Sequence, residues 1–267
     1  MMLENKLHKI IVAHPDDEIL FFNSIISSAK EIILCYGPTS SKEVSAGREK
    51  LKSTYPFKNV RFLDVPESDV YDKASFKNRR MIREGISVRK NSLAYEARFD
   101  SLVAKLRLEL GFGDVIFTHN PWGEYGHPEH VQVFRAVYSL KAEFNLKIFV
   151  DGYVSDKTYG FMSKHYSLLS PESFLGYPNN DLGQKVMEVY LRSNCWTWRK
   201  DYRWPVAEVF YKLADDNEAT FANPNNSSYP PLNMLTRKFT HGPLKSFFSH
   251  GVWLLKSTVL KKFDINF

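Results

Sequence analysis

The sequence predicts an α/β fold of the Rossmann-like type, with a mostly parallel sheet and helices on both of its faces. Short, almost uninterrupted apolar runs recur along the first 150 residues, and segments of helical periodicity separate several of them. Unbroken apolar runs are typical of strands buried on both faces. Alternation of such strands with helices is typical of a doubly wound sheet.

Each predicted element follows from its local pattern. Residues 18–29, 95–110 and 130–140 place apolar side chains at helical spacing, and the last of these segments follows the fourth apolar run. The charged segment 68–93 has no strong period and is either an insertion over the carboxyl edge of the sheet or a solvated loop. The predicted strands are KIIVA (9–13), EIILCY (31–36), VRFLDV (60–65), DVIFT (114–118) and KIFV (147–150).

We expect one α/β domain over residues 1–222, followed by a linker-like segment and a tail. Residues 151–222 are rich in aromatic side chains and turns, and we interpret them as an extension that caps the domain. Residues 223–235 contain NPNNSSYPPL, a composition that breaks regular structure. The tail, 236–267, carries six Lys and Arg residues against one Asp, and apolar residues recur at helical spacing over 244–263. A basic amphipathic C-terminal helix is the resulting prediction.

The net charge of +6 does not indicate a nucleic-acid-binding protein, because most of it lies in this tail. The tail could dock on the core, lie on an anionic membrane or bind a partner, and the sequence leaves these alternatives open. Cys35 and Cys195 form no CxxC pair, and the chain shows neither a signal peptide nor an apolar run long enough to span a bilayer. We expect a cytoplasmic protein, with peripheral contact to the cytosolic face of a membrane through 244–263 as one alternative.

The first chemically distinctive stretch is IIVAHPDDEIL, in which a predicted strand ends in a histidine and adjacent acids. In an open α/β sheet, ligands bind beyond the carboxyl ends of the strands, and His14, Asp16 and Asp17 occupy that position after the first strand. Acids at a helix start can simply cap the helix, but one aspartate would be enough for that role. The combination favours a metal site over a cap.

A second polar cluster, THNPWGEYGHPEHVQV, follows the fourth predicted strand. His127 and His130 are three residues apart at a predicted helix start, where Pro128 suits the first turn. Side chains three apart on a helix face the same direction, so the two imidazoles can converge. If the two strands are neighbours, both clusters meet at one edge of the sheet.

Together the two clusters hold more donors than a catalytic zinc ion needs. Such an ion takes three protein ligands and keeps one position for water. His14, one of Asp16 and Asp17, His127 and His130 exceed this number, which leaves a carboxylate and a histidine for proton transfer. Nitrogen and oxygen donors without thiolate fit Zn²⁺, and Fe²⁺ is an alternative.

The order AHPDDE and then YGHPEH resembles the two signature motifs of the PIG-L/LmbE-like zinc-dependent deacetylases, which remove N-acetyl groups from glucosamine-containing substrates. The resemblance covers about residues 9–140, and a weaker similarity in EVYLRSNCW and AEVF extends it to about residue 210. It implies that His14, Asp17 and His130 are the metal ligands.

The same resemblance implies roles for the remaining polar side chains of the two motifs. Asp16 becomes the general base that deprotonates the water. His127 becomes the group that stabilises the oxyanion and protonates the leaving amine, and Tyr125 reaches the same oxyanion. Glu129 stands where the family commonly has Asp, and we expect it to orient an imidazole from behind the ligand shell.

Two further residues lie where the family often holds the sugar, and we predict Arg48 and Asp69 as substrate-binding residues. The family's Arg-x-x-Glu pattern departs here, because Leu51 stands at the position of its glutamate.

The sequence thus predicts a metal-dependent hydrolase of glycoconjugate biosynthesis that removes an N-acetyl group from a glucosamine-type amino sugar through metal-activated water. The substrate would be lipid-linked if the tail lies on a membrane, and otherwise a small conjugate in solution. One alternative is an amidase acting on another small N-acyl sugar or thiol conjugate. The other is a non-catalytic sugar- or lipid-binding protein with a structural metal, which Asp16 and His127 disfavour because holding a metal does not require them.

Overall fold

A central β-sheet organises the part of the chain that the computed structural model describes, which comprises residues 7–70, 79–88, 92–215, 218, 220 and 232–235. The strands are β1 (His8–Val12), β2 (Ala29–Tyr36), β3 (Val60–Val65), β4 (Met81–Ile82), β5 (Gly85–Ile86), β6 (Val115–Thr118), β7 (Lys147–Asp151), β8 (Tyr153–Ser155), β9 (Leu169–Gly176), β10 (Glu208–Leu213) and β11 (Asn233–Leu235). The α-helices are α1 (Asp17–Phe21), α2 (Lys42–Thr54), α3 (Ser92–Glu109), α4 (Pro128–Ser139), α5 (Lys141–Phe144), α6 (Tyr159–His165) and α7 (Asn180–Arg192).

Within these residues the sheet has seven strands in the order β3-β2-β1-β6-β7-β10-β9. The first five in this order are parallel, and β10 and β9 extend the sheet in antiparallel pairing. The chain moves from β1 outward to β3 and then returns to the other side of β1 to form β6. This reversal places a topological switch point between β1 and β6, where ligands bind in sheets of this class.

Helices cover both faces of the sheet, because each buried strand sends alternate side chains to opposite sides. In β1, Ile11 packs into a core with side chains of α3 and α4, including Phe99 and Phe134. Its neighbours Ile10 and Val12 pack into the second core, with side chains of α1, α2 and α7. The predicted α/β class with a mostly parallel sheet is therefore confirmed.

All five predicted strands are present within one or two residues of their predicted limits. The helix predicted over 18–29 is wrong, since α1 ends at Phe21 and a turn and a short 3₁₀ helix lead into β2. Tertiary hydrogen bonds replace the helix here. Asn23 Oδ1 accepts from the Asn179 amide at 2.7 Å, and the Ser24 amide donates to Glu208 at 2.9 Å.

Residues 151–222, interpreted from the sequence as a cap, supply β9 and β10 to the central sheet and α7 to one of its faces. The division of the chain into 1–222, 223–235 and 236–267 stays a prediction. The amphipathic helix expected at 244–263 lies outside the described residues, as do residues 71–78 and 89–91 of the charged segment. No helix in the described ranges combines the length and the apolar character needed to cross a bilayer.

Helix α7 approaches the end of α1 closely because Gly183 has no side chain. A Cβ atom at Gly183 would lie 2.6 Å from Asn23 Nδ2 and 2.6 Å from the Trp204 ring, whereas one at Gly160 in α6 would meet nothing within 4 Å. The close approach depends on this glycine.

We predict that Gly183→Ala lowers the free energy of unfolding by about 1–3 kcal/mol through overpacking. Gly160→Ala is the matched control, and we expect it to leave stability unchanged or raise it by up to ~1 kcal/mol. Urea unfolding of both variants measures the difference. Equal midpoints for the two variants would contradict the close packing of α7 on this part of the chain.

Candidate active site

The two polar motifs meet because β1 and β6 are parallel neighbours in the sheet. Ile11 of β1 pairs with Thr118 of β6, so the chain leaves both strands at the same edge. The first motif turns at once into α1, and the second leads to α4. His127 is the N-cap residue of α4, and Pro128 occupies its first turn as predicted. The sheet topology therefore brings the motifs to the switch point.

The start of α1 has an unusual backbone. Asp16, its N-cap residue, has φ 110°, in the left-handed region that non-glycine residues seldom adopt. Asp17 follows as the first helical residue, and its Oδ2 accepts a hydrogen bond from the His14 amide at 2.8 Å. This closed turn directs both aspartate side chains into the protein, where each is almost fully buried.

Asp17 is the centre of the cluster. Its Oδ2 atom lies 3.1 Å from His14 Nδ1 and 3.3 Å from His130 Nε2. The ring of His127 stands beside both histidines, with centroid distances of 4.7 Å to His14 and 4.6 Å to His130. The structure thus brings together His14, Asp17, His127 and His130, although the role of each stays a prediction.

The outer nitrogens of two of these imidazoles are held by glutamates. Glu129 Oε2 lies 2.9 Å from His14 Nε2, and Glu124 Oε2 makes a short hydrogen bond to His130 Nδ1. If each outer nitrogen donates to its glutamate, the inner nitrogens present lone pairs to Asp17. Histidine ligands of metal ions characteristically have this support from a carboxylate behind them.

These donors fit a divalent metal ion. In the described part of the chain, His130 Nε2 is buried and makes no hydrogen bond, although Asp17 Oδ2 is close by. Burial opposes a charge on His14, but Glu67, Asp17 and Glu129 raise its pKa well above the usual value. The surrounding carboxylates therefore favour a positive charge at this site. The two imidazole nitrogens of His14 and His130 and the carboxylate oxygen of Asp17 are suited to Zn²⁺ or Fe²⁺.

His119, which the sequence analysis did not single out, has a supporting position. Its ring stacks on His130 with a centroid distance of 4.0 Å, and its Nε2 lies 3.6 Å from Asp17 Oδ2. The Ala13 amide donates to this Nε2 at 2.8 Å, and Nδ1 faces Glu124 at 3.2 Å. Both ring nitrogens are therefore engaged, so His119 ties the end of β1 to the second motif and is not available as a ligand.

Glu124 was also missed from the sequence. It is fully buried, its backbone has φ 49°, and its carboxylate contacts the rings of His119 and His130. In addition to His119 and His130, its carboxylate accepts from the Asn120 amide at 3.1 Å. An acid among the glycines of WGEYGHPEH is the signal that could have drawn attention to it.

Glu129 contacts the imidazole of His14, which belongs to the first motif. The other carboxylate oxygen of Glu129, Oε1, accepts from the amide and the hydroxyl of Ser68, at 2.6 Å and 2.7 Å. At His127, the Glu129 amide donates to Nδ1 at 3.3 Å. Burial, together with the nearby His130 and His14, lowers the pKa of His127 well below its usual value. The neutral ring thus carries its proton on Nε2.

Asp16 and Tyr125 border the cluster. Asp16 Oδ2 accepts from the amide and the hydroxyl of Thr197, at 2.9 Å and 2.7 Å. Burial and the charge of Asp17 raise the pKa of Asp16 to about 8. The Tyr125 ring centroid is 5.9 Å from that of His127 and 4.9 Å from that of Trp198.

The two predicted sugar-binding residues differ in position. Arg48 is buried and donates to the Gly37 carbonyl at 2.9 Å and to Glu67, whose Oε1 lies 3.6 Å from His14 Nε2. Arg48 therefore adjoins the cluster through one intervening carboxylate. The Asp69 carboxylate accepts from the loop at residues 39–40, including the Ser40 hydroxyl at 2.9 Å. Its described contacts fix that loop, and binding of a sugar stays a prediction for both residues.

A family model described as PIG-L, GlcNAc-PI de-N-acetylase, matches residues 9–141, which contain both motifs and every candidate residue named above except Thr197 and Trp198. These residues place the chain in the PIG-L family of deacetylases. No curated protein matches the chain.

Several solved structures of deacetylases are similar to this PIG-L chain. One is a deacetylase–teicoplanin complex from the teicoplanin biosynthesis pathway, with 13% identity and a TM-score of 0.48, over 79% of this chain and 100% of that one. Another is the zinc-inhibited form of teicoplanin deacetylase Orf2, with 12% identity and a TM-score of 0.49, over 80% and 100%. A third is the A40926 pseudoaglycone deacetylase Dbv21, with 10% identity and a TM-score of 0.44, over 79% and 98%.

We predict that Glu124→Gln weakens metal binding about 10- to 100-fold, because the amide cannot hold His130 Nδ1 with the same charge. Titration of the apo protein with Zn²⁺ against a chromophoric chelator measures the affinity. Glu143→Gln, at an exposed ion pair with Arg107, is the control and should bind like wild type. Wild-type affinity in Glu124→Gln would show that His130 is not held for a metal.

Proposed function

We propose that this PIG-L protein is a metal-dependent hydrolase that removes the N-acetyl group of a glucosamine-type amino sugar. The observation that carries the proposal is the convergence of His14 Nδ1 and His130 Nε2 on Asp17 Oδ2, with the His127 ring beside them and Asp16 next to Asp17 in the chain. His14 Nδ1, Asp17 Oδ2 and His130 Nε2 are the proposed metal ligands. Zn²⁺ is the proposed ion, and Fe²⁺ would accept the same donors.

When bound, the metal ion supplies Lewis-acid polarisation of the acetyl carbonyl and lowers the pKa of a water molecule. The protein's own residues must then move two protons, because amide hydrolysis deprotonates the attacking water and protonates the departing amine. General acid–base assistance of this kind contributes roughly 10²–10⁴-fold to the rate.

Asp16 is suited to accept the proton of the water. It is adjacent in sequence to the proposed ligand Asp17, and its carboxylate is turned into the protein by the left-handed backbone. Burial raises the pKa of the Asp16 carboxyl group above its ordinary value, so this group accepts a proton more readily than an exposed aspartate does. A base with a pKa near neutrality is the most effective at neutral pH.

His127 is suited to stabilise the developing oxyanion and to protonate the leaving amine. It is half-buried, whereas His14 and His130 are buried, so it lies on the more open side of the cluster. Because Nδ1 accepts from the Glu129 amide, the neutral ring would offer its Nε2–H group to the oxyanion as a hydrogen-bond donor, and it would have to take up a second proton before it protonates the amine. Tyr125 is half-buried beside it and is proposed to share the oxyanion. Removing one such donor typically costs about 3–4 kcal/mol of transition-state stabilisation.

The proposed substrate is an N-acetylglucosamine conjugate, for which Arg48, Asp69 and Trp198 are the proposed contacts. Trp198 is half-buried against Tyr125 and could stack on a sugar ring. The basic tail makes a lipid-linked conjugate one member of the substrate class to test.

The substrate class is tested by acetate release from a panel of N-acetylglucosamine conjugates with the Zn²⁺-loaded full chain. The panel comprises a phosphatidylinositol-linked sugar, a nucleotide sugar and a sugar–inositol thiol conjugate. We expect release from at least one member, and its loss when a chelator removes the metal. An enzyme that hydrolyses other N-acyl conjugates but releases no acetate would instead be an amidase, and absence of any hydrolysis would favour a binding protein.

The proposed division of roles is tested with two variants. Asp16→Asn should bind Zn²⁺ as wild type does and lose about 10²–10⁴-fold in kcat, because it cannot accept the proton. His130→Ala should fail to retain Zn²⁺, because a ligand is missing. Metal content and turnover, measured on the same preparations, separate the two effects. Equal loss of metal in both variants would refute the assignment of Asp16 as a base.

A further inference from the structure

Thr197 makes two hydrogen bonds to Asp16, the proposed base. Its amide and hydroxyl both donate to Asp16 Oδ2, at 2.9 Å and 2.7 Å. Within the described residues, all hydrogen bonds to the Asp16 carboxylate end on this oxygen. Thr197 itself is exposed, whereas Asp16 is 1% exposed, so Thr197 reaches the carboxylate from the solvent side.

The segment that carries Thr197 is fixed to α1. Beyond Thr197, the Tyr202 hydroxyl donates to the Leu20 carbonyl at 3.1 Å, and Trp204 Nε1 donates to the Ile19 carbonyl at 2.6 Å. Before it, the Tyr190 hydroxyl at the end of α7 donates to Glu18 at 2.5 Å. Residues that precede and residues that follow Thr197 in the chain are therefore both hydrogen-bonded to α1. These contacts fix the position of Thr197 relative to Asp16.

The two hydrogen bonds have a mechanical consequence. A carboxylate held through one oxygen by two donors cannot rotate freely about its Cβ–Cγ bond, so the direction of Oδ1 is fixed. They also compensate the burial of Asp16 next to a second aspartate and oppose the strain of its left-handed backbone. Geometry of this kind is what an efficient general base requires.

We propose that Thr197 is a positioning residue, which holds Asp16 Oδ2 so that Oδ1 faces the attacking water. The inference rests on the proposed function, because it assigns to Asp16 the role of base. It extends the active site to a segment outside residues 9–141, the range that matches the family.

The test combines substitutions of Thr197 with substitution of Asp16 in the Zn²⁺-loaded chain of 267 residues. Thr197→Val keeps the shape and the amide but removes the hydroxyl, and Thr197→Ser keeps the hydroxyl. Thr54→Val is the matched control, because Thr54 is also exposed and, among the described residues, its hydroxyl bonds only to the Lys50 carbonyl of its own helix. Each is measured for kcat, KM, zinc content and thermal stability on the member of the panel that wild type hydrolyses.

We expect Thr197→Val to lower kcat about 10- to 100-fold, the effect of losing one hydrogen bond to a charged group, with KM within about twofold and full zinc content. Thr197→Ser should stay within about threefold of wild type. In an Asp16→Asn background, Thr197→Val should change the residual kcat by less than about twofold, because the group that it positions is already disabled.

Two kinds of failure can be distinguished. If wild type is active and Thr197→Val matches Thr54→Val, or if its effect persists in full in the Asp16→Asn background, the positioning role is refuted while the proposed function stands. A Thr197→Ser variant as slow as Thr197→Val would also refute it. If wild type hydrolyses no member of the panel, the proposed function fails and this inference fails with it.

Discussion

The interaction on which the site depends is the approach of two imidazole nitrogens to one carboxylate oxygen. His14 Nδ1 and His130 Nε2 lie 3.1 Å and 3.3 Å from Asp17 Oδ2, and all three side chains are buried. With the outer nitrogens donating to glutamates, three acceptors face one another. Such an arrangement is costly unless positive charge joins it, and a divalent cation supplies that charge while using every lone pair.

The contacts that hold the histidine rings in place connect the first polar motif with the second. Glu129 belongs to the second motif and holds His14 of the first, while Glu124 holds His130 within the second. His119 adds a further tie, because its Nε2 accepts from the Ala13 amide at the end of β1. Neither loop could keep its donors in place alone, so the geometry depends on β1 and β6 being adjacent in the sheet.

Much of this arrangement could be predicted from the sequence, because it follows from regular structure. Unbroken apolar runs identify parallel strands, and the parallel order brings His14 and His130 to one edge whatever the details of the loops. The contacts of Glu124 could not be predicted in this way. They require a residue with φ 49° in an irregular turn, a conformation that no periodicity reveals.

Long-range contacts also determine features of the fold that no local sequence pattern predicts. The expected helix over 18–29 is cut short because Asn23 and Ser24 bond to residues of the later chain, and Thr197 reaches Asp16 only through the folded position of α7. A local pattern holds no information about partners so distant in sequence. Strand β9 was missed for another reason, since it is an edge strand with exposed residues and lacks an unbroken apolar run.

The described residues after 141 therefore pack on residues 9–141, the part that matches the family model, and share its sheet and core. Strand β10 pairs with β7, and α7 packs in the same core as α1, the helix that begins with the proposed ligand Asp17. Helix α1 has only five residues and could not persist alone. In its C-terminal turn, the carbonyls of Ile19 and Leu20 accept hydrogen bonds from Trp204 and Tyr202, which lie beyond the family match. The first motif keeps its shape because the C-terminal half of the described chain completes it.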